Sequence, residues 1–302
     1  MQVTIAVLLY NAAPYLQKLT ESIDKQSVAI DTRLAVYTRS NDDSLSRIEQ
    51  FFDKVIQIEP NNFDHGGTRQ LAVSQCDSDI IIFLTQDVIL TATAIEQIVR
   101  SFKDPTVGCA YGRQLPHQNA SVFASFLRSF NYPNLSVLRS IEDASCMGIK
   151  TCFNSNSFSA YKTQALKEAG GFPSSNIVGE DAIAAVRLLN DNWKIAYNAE
   201  ACVYHSHDYS IGQEFKRYFD TGVFHQDNAQ ILLPFQSSNK EGSKFVLSEF
   251  KFLLSSNKWW LCPLSIIRNI VKLFGYHFGK RSRFLPNWLN KHLSGHPRFW
   301  SN

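Results

Sequence analysis

Short, unbroken apolar runs alternate along the first part of the chain with stretches whose apolar residues recur every three or four positions. Val3 to Leu9 is the first run. A helix entered through Asn11-Ala-Ala-Pro14 then carries Leu16, Leu19 and Ile23 on one face to about Gln26. Leu34 to Thr38 is the second run, followed by Leu45, Ile48, Phe51 and Phe52 at helical spacing behind a cap at Asn41 or Asp42. Val55 to Ile58 is the third, and Gly66-Gly67 leads into a helix through Leu71 and Ala72. The fourth, Ile80 to Leu84, has the length and branching of a strand buried on both faces. It ends abruptly in Thr85-Gln86-Asp87. A helix from about Thr91 to Phe102 and a strand near Val107 to Tyr111 come next. Alternation at roughly 20–25 residues per unit predicts an α/β fold, a mostly parallel central sheet with helices on both faces.

Beyond Gly112 the pattern loosens. Residues 114–150 are rich in Ser, Asn and Pro, hold a helix from Ala120 to Phe130, and read as a long excursion over the sheet edge. Ser157 to Tyr161 is a strand, Thr163 to Ala169 a helix stopped by Gly170-Gly171, and Gly179-Glu180-Asp181 starts a helix through Val186, Leu188 and Leu189. Lys194 to His205 carries short strands, and after Ser210 the chain turns helical with Phe215, Tyr218, Phe219, Val223 and Phe224. This divides the chain into a main domain, 1–230, and a helical C-terminal region, 231–302.

Composition separates these two parts further. Hydrophobic residues make up 44% and charged residues 19%, the balance of a globular chain. The formal net charge is only +3, yet from Lys240 onward there are 11 Lys and Arg against 2 acids, so the basic character belongs to the tail. Mixed with Trp259-Trp260, Phe274, Tyr276, Phe278, Trp288 and Trp300, those cations have the composition of an interfacial membrane contact, beside the alternative of a solvated helical subdomain. No known nucleic-acid-binding motif accompanies the charge. Six cysteines without a CxxC pair predict a reducing compartment, and the N-terminus reads as a first strand rather than a signal peptide. No run of about 18 uncharged apolar residues exists to span a bilayer.

Four segments carry candidate chemistry. Thr85-Gln86-Asp87 at a strand's carboxyl end supplies hard oxygen ligands for Mg²⁺ or Mn²⁺, or else caps the helix after it. His205-Ser-His207-Asp208 presents two imidazoles on one side of an extended segment, as metal ligands or as ordinary loop residues. Asn62-Phe-Asp-His65-Gly-Gly-Thr-Arg69-Gln70 sets glycines and an arginine at a helix start, which suits an anion as well as a tight turn. Glu180 and Asp181 lie where a helix dipole favours acids, and where a general base could also stand.

In this order, the segments resemble a family-2 inverting glycosyltransferase of the GT-A fold, more narrowly the bacterial rhamnosyltransferase group. Val-Leu-Leu-Tyr10-Asn11-Ala-Ala-Pro, Phe63-Asp-His-Gly-Gly-Thr-Arg69, Thr85-Gln-Asp87, Gly170-Gly-Phe172 with Glu180-Asp181, and His205-Ser-His-Asp-Tyr209 carry the resemblance over about residues 3–230. It implies a nucleotide-diphospho-sugar donor, dTDP-L-rhamnose, with Mg²⁺ or Mn²⁺ held by Asp87 and by His205 or His207. It implies Asp181 as the general base, Glu180 at the acceptor, and Tyr10, Asn11, Asp42, His65, Arg69 and Gln86 toward the donor. The acceptor implied is a lipid-linked, growing cell-surface glycan, and the location the cytoplasmic face of the bacterial inner membrane, held peripherally. A UDP-hexose or UDP-GlcNAc donor is the alternative on the same fold. A non-catalytic nucleotide-sugar-binding scaffold of a glycan assembly complex is the alternative from another class, motivated by Gln86 and by Tyr37-Thr-Arg-Ser40, where relatives carry acids.

Overall fold

The computed structural model describes residues 1–236 and 241–301. The strands are β1 (Val3–Leu9), β2 (Thr32–Thr38), β3 (Lys54–Ile58), β4 (Ile80–Thr85), β5 (Ile89–Leu90), β6 (Val107–Leu115), β7 (Val137–Arg139), β8 (Phe158–Lys162) and β9 (Lys194–Tyr204). The helices are α1 (Ala13–Asp24), α2 (Ser44–Phe51), α3 (His65–Ser74), α4 (Ala94–Arg100), α5 (Val122–Asn131), α6 (Ala144–Met147), α7 (Thr163–Glu168), α8 (Glu180–Asn190), α9 (Ile211–Asp227), α10 (Glu241–Ser255), α11 (Cys262–Gly279) and α12 (Asn287–Leu293).

One sheet runs in the order β3-β2-β1-β4-β8-β6-β9-β5, with β7 also paired to β9. From β3 to β4 the pairing is parallel, as the strand–helix alternation predicts. β8 then enters antiparallel between β4 and β6, which makes the whole sheet mixed and puts the start of β8 beside the end of β4, with Phe158 opposite Leu84. Non-adjacent strands in the chain thus bring their polar ends to one edge.

β4 is buried on both faces. Ile80, Ile82 and Leu84 join the core under α1, α2 and α4, whereas Ile81 and Phe83 join the core formed with α3, α7, α8 and α9. Each such side chain contributes about 1.5–3 kcal/mol by leaving water. Burial is possible because β1, parallel on one side, and β8, antiparallel on the other, satisfy the β4 backbone. The excursion at 114–150 is more ordered than its composition suggests: β6 continues to Leu115, and α5, β7 and α6 follow. Residues after 231 rejoin the main core, since Leu232 and Phe235 are buried in it and Phe299 and Trp300 pack against it.

Candidate active site

Asp87 does not cap the helix after it. The chain first makes β5, whose Ile89 pairs with Tyr204 at the end of β9, and α4 begins only after Thr93. Continuing that antiparallel register carries Asp87 to the level of Ser206, between the two histidines. The Asp87 Oδ2 atom is 3.3 Å from Nε2 of His205 and 3.3 Å from Nε2 of His207. Among the described residues these three offer ligand atoms within 4.8 Å of one another.

The second layer of contacts decides what this cluster needs. His205 Nδ1 lies 2.8 Å from Gln114 Oε1. That oxygen also accepts from Arg128 Nη1, while Gln114 Nε2 donates to Ser155 Oγ, so the amide orientation is determined and Nδ1 must carry the hydrogen. A neutral His205 therefore turns a bare Nε2 toward a carboxylate. Two acceptors facing each other require a cation between them, either a second proton on the ring or a metal ion. Burial works against the ionised form of Asp87, but the hydrogen bond and charge of His205 prevail and hold its carboxyl well below the usual range. Burial, and next the charge of His205, push His207 down to about 4, which leaves its ring neutral and able to ligate. The buried Thr85 hydroxyl lies beside Asp87 and also helps to hold that carboxyl down. One carboxylate and two imidazoles make a mixed oxygen and nitrogen donor set that suits Mn²⁺ with positions left for oxygen ligands; Mg²⁺, which prefers oxygen, would rely on Asp87 and on oxygens of the ligand.

Asp181 reaches the same edge by another route. Asn156, just before β8, donates its backbone N–H to Asp181 Oδ2 at 3.4 Å and its side-chain amide to Glu180 Oε1 at 3.2 Å. Its own Oδ1 accepts from Ser159 and Tyr161, each at 2.7 Å, so Asn156 is immobilised. Burial first, and then the negative charge of Glu180, push the Asp181 carboxyl up to about 7. The residue remains partly accessible to solvent. Glu180 behaves oppositely: burial favours its neutral form, but Arg69 at 3.0 Å outweighs that and holds the carboxyl below its ordinary range.

Several residues expected at the donor or acceptor have other partners. Arg69 is 6% exposed, and its Nη1 meets both Glu180 Oε1 and the His65 carbonyl, so the buried guanidinium presents no open fork to a diphosphate. Glu180 is itself 7% exposed and bound to Arg69 and Asn156, rather than free to meet an acceptor. The N-terminus of α3 is filled by its own cap, because Asp64 accepts from Gly67 N at 2.6 Å. Gly66 is required by close approach, since a Cβ there would lie 1.7 Å from the Pro173 carbonyl oxygen. His65 packs edge-on against Phe63 and His296, and burial pushes it down to about 4. Gln86 exchanges two hydrogen bonds with the Tyr10 backbone, at 2.9 and 3.0 Å, and so ties the end of β1 to the end of β4. Asp42 accepts from Ala13 N, Ser40 and Ser44, fastening the start of α1. Tyr10 and Asn11 are left exposed at the carboxyl end of β1. Gln114, Arg128 and Asn156 are the residues the sequence did not single out. Gln114 lay beyond the expected end of its strand, and Asn156 was one polar residue among several.

The family model described as Glycosyltransferase like family 2 matches residues 1–220. The chain is 38% identical over 305 residues to the O-antigen chain rhamnosyltransferase RfbN of Salmonella typhimurium, covering 100% of this chain and 97% of the relative. It is also 38% identical to the O-antigen chain rhamnosyltransferase WbaN of Salmonella anatum, over 99% of this chain and 96% of that one. Among solved structures, the mannosyltransferase PcManGT from Pyrobaculum calidifontis in complex with GDP-Man and Mn²⁺ superposes with a TM-score of 0.59 at 14% identity, over 99% of this chain and 85% of its own. S. aureus TarS 1-349 in complex with UDP gives 0.56 at 16% identity, over 94% and 91%.

Proposed function

The chain belongs to glycosyltransferase family 2 and has the GT-A fold, and on that premise we propose that it transfers an L-rhamnosyl unit from dTDP-L-rhamnose to a hydroxyl of a growing, lipid-linked O-antigen chain. The observation that carries this reading is the Asp181 carboxyl, raised to about 7 and held at the same sheet edge as Asp87, His205 and His207. A carboxylate so tuned accepts a proton near neutral pH. Asp181 takes the proton of the acceptor hydroxyl while that oxygen bonds to the anomeric carbon. The bond from that carbon to the diphosphate oxygen breaks, and the nucleoside diphosphate leaves with the electron pair, inverting the centre. Asp87, His205 and His207 would hold Mg²⁺ or Mn²⁺, which when bound offsets the charge building on the diphosphate.

The remaining residues act around these. Tyr10 and Asn11 meet the donor directly, with Gln86 and Asp42 fastening the loops that present them. Glu180, Arg69 and His65 work from beneath, setting the charge that Asp181 feels. A lipid-linked acceptor puts the enzyme at the cytoplasmic face of the inner membrane, with the exposed apolar and basic side chains of its C-terminal helices toward the membrane.

Purified protein with dTDP-L-rhamnose, Mn²⁺ and lipid-linked acceptor is expected to form rhamnosylated product. Asp181→Asn is expected to lower turnover by about 10²–10⁴-fold while leaving dTDP binding intact. Undiminished turnover in that variant would remove Asp181 as the base. Stronger thermal stabilisation by UDP-glucose or UDP-GlcNAc than by dTDP-L-rhamnose would reassign the donor. Absence of transfer and of donor hydrolysis with all three would leave a non-catalytic scaffold.

A further inference from the structure

Helix α11 is built inside out. Its outward stripe is Ile266, Ile267, Ile270, Leu273, Phe274 and Phe278, each between 44% and 57% exposed. Its inward side is polar. Ser265 is fully buried and donates to Glu249, Asn269 Nδ2 donates to Glu249 Oε2 at 2.6 Å, and Arg268 and Lys272 reach Glu214 of α9 at 2.9 and 3.4 Å. Close approach is made by glycines: a Cβ on Gly279 would lie 1.9 Å from the Phe219 carbonyl oxygen, and one on Gly222 would lie 2.2 Å from that of Tyr276. A helix on a water-soluble core has the reverse polarity. Small residues and polar pairs inside with aliphatic and aromatic residues outside are how helices pack when the medium beyond them is hydrocarbon.

We propose that this face of α11 is the surface by which the protein lies on an anionic lipid bilayer, which rests on the reading that the acceptor is lipid-linked. The ends of the helix match the two zones such a surface presents. Trp259 and Trp260, 63% and 52% exposed, immediately precede it, and Phe284 and Trp288, 87% and 71% exposed, follow. Aromatic rings of this kind settle at the headgroup level. From Glu241 to Ser301 there are 10 Lys and Arg against two acids. Glu249 is buried, and Glu241 is paired with Lys150 at 2.6 Å, so neither opposes the attraction of Lys280 and Arg281 to lipid phosphates, while Arg283 is held by Asp227 at 3.0 Å. The same charge argues against a second copy as the covering partner. An isologous contact sets a patch against itself and would bring like charges together. The helix lies on the bilayer rather than through it, because no helix among the described residues is long and apolar enough to cross.

The test is co-sedimentation of the full chain with phosphatidylcholine vesicles, with and without phosphatidylglycerol, in the absence of donor and acceptor. Binding is expected to need the anionic lipid and to weaken with salt. The double variant Ile267→Glu, Phe274→Glu is expected to reduce the bound fraction at least about tenfold, with an unchanged melting temperature and unchanged transfer to a detergent-dispersed acceptor. Tryptophan emission of the unaltered chain should shift to the blue on vesicles and become shielded from a soluble quencher. Vesicle binding that the double variant leaves intact, or emission that vesicles do not change, overturns the proposal. So does a dimer in light scattering that the double variant splits without any vesicle binding by the parent. Because these readouts need no turnover, failure of the unaltered chain to bind vesicles while it still transfers refutes the docking face alone. Loss of transfer with vesicle binding retained refutes only the catalytic reading.

Discussion

A carboxyl raised to about 7 makes Asp181 the residue whose protonation is expected to set the pH profile. The base works ionised, so kcat/KM should rise about tenfold per pH unit below 7 and level off above it, and this lower limb should vanish in Asp181→Asn. Stability should run the other way. The folded protein keeps the proton between the ordinary carboxyl range and about 7, whereas the unfolded chain loses it, so stability falls as pH rises through that window. Asp181→Asn should therefore melt higher than the parent at pH 8, with the gap shrinking toward pH 5 in differential scanning calorimetry. Gln114 makes a second expectation at this scale. It holds His205 in the tautomer that aims Nε2 at Asp87, so Gln114→Ala should weaken Mn²⁺ binding by about 10–100-fold in calorimetric titration, with the circular dichroism spectrum unchanged.

Between elements, the contact that organises the site is the interlock of α3 with the loop before α8. Pro173 rests on Gly66, and Gln70 Oε1 accepts the Phe172 N–H at 2.9 Å, while Arg69 crosses to Glu180 at the first turn of α8. Gly66→Ala would force these elements apart and is expected to cost about 1–3 kcal/mol, read as a lowered urea midpoint. Because α8 carries Asp181, part of the activity should go with it. The segment from Phe63 to Arg69 was visible in the sequence as a motif, but its glycines suited an anion and a close approach equally. Only the carbonyl of Pro173, more than 100 residues along the chain, distinguishes them.

Across the whole molecule, the C-terminal segment returns to the main domain rather than trailing from it. Ser294 Oγ and Gly295 N both donate to Asp220, at 2.6 and 2.9 Å, and Arg298 Nη1 donates to the Pro60 carbonyl. The His296 ring stands 5.2 Å from that of His65. A chain ended after Leu293 would strand Asp220 without these donors and uncover the surface beneath Phe299 and Trp300. It is expected to lose about 2–5 kcal/mol, measured by denaturant unfolding against the full chain. The charge asymmetry of the tail was legible by counting, but the polarity of α11 was not. Composition records how many apolar and basic residues a helix has, and only its packing against α9 shows which of them face outward.

By itself the sequence determined where the longer strands and helices lie, because apolar periodicity and caps act within one turn or one strand, but it showed no sign of β5, β7 or α6, which are too short to carry a period. It also determined that Asp87 ends a strand buried on both faces, and that His205 and His207 share one side of an extended segment. The tertiary structure decided which of these polar ends meet. The antiparallel insertion of β8 sets Asn156 against Asp181, and the pairing of Ile89 with Tyr204 delivers Asp87 to both histidines. It also decided that Arg69 and Glu180 neutralise each other, leaving Asp181 the acid whose charge burial makes costly. Such pairings join residues distant in sequence, and their energies depend on the desolvation that folding imposes, which no local pattern encodes.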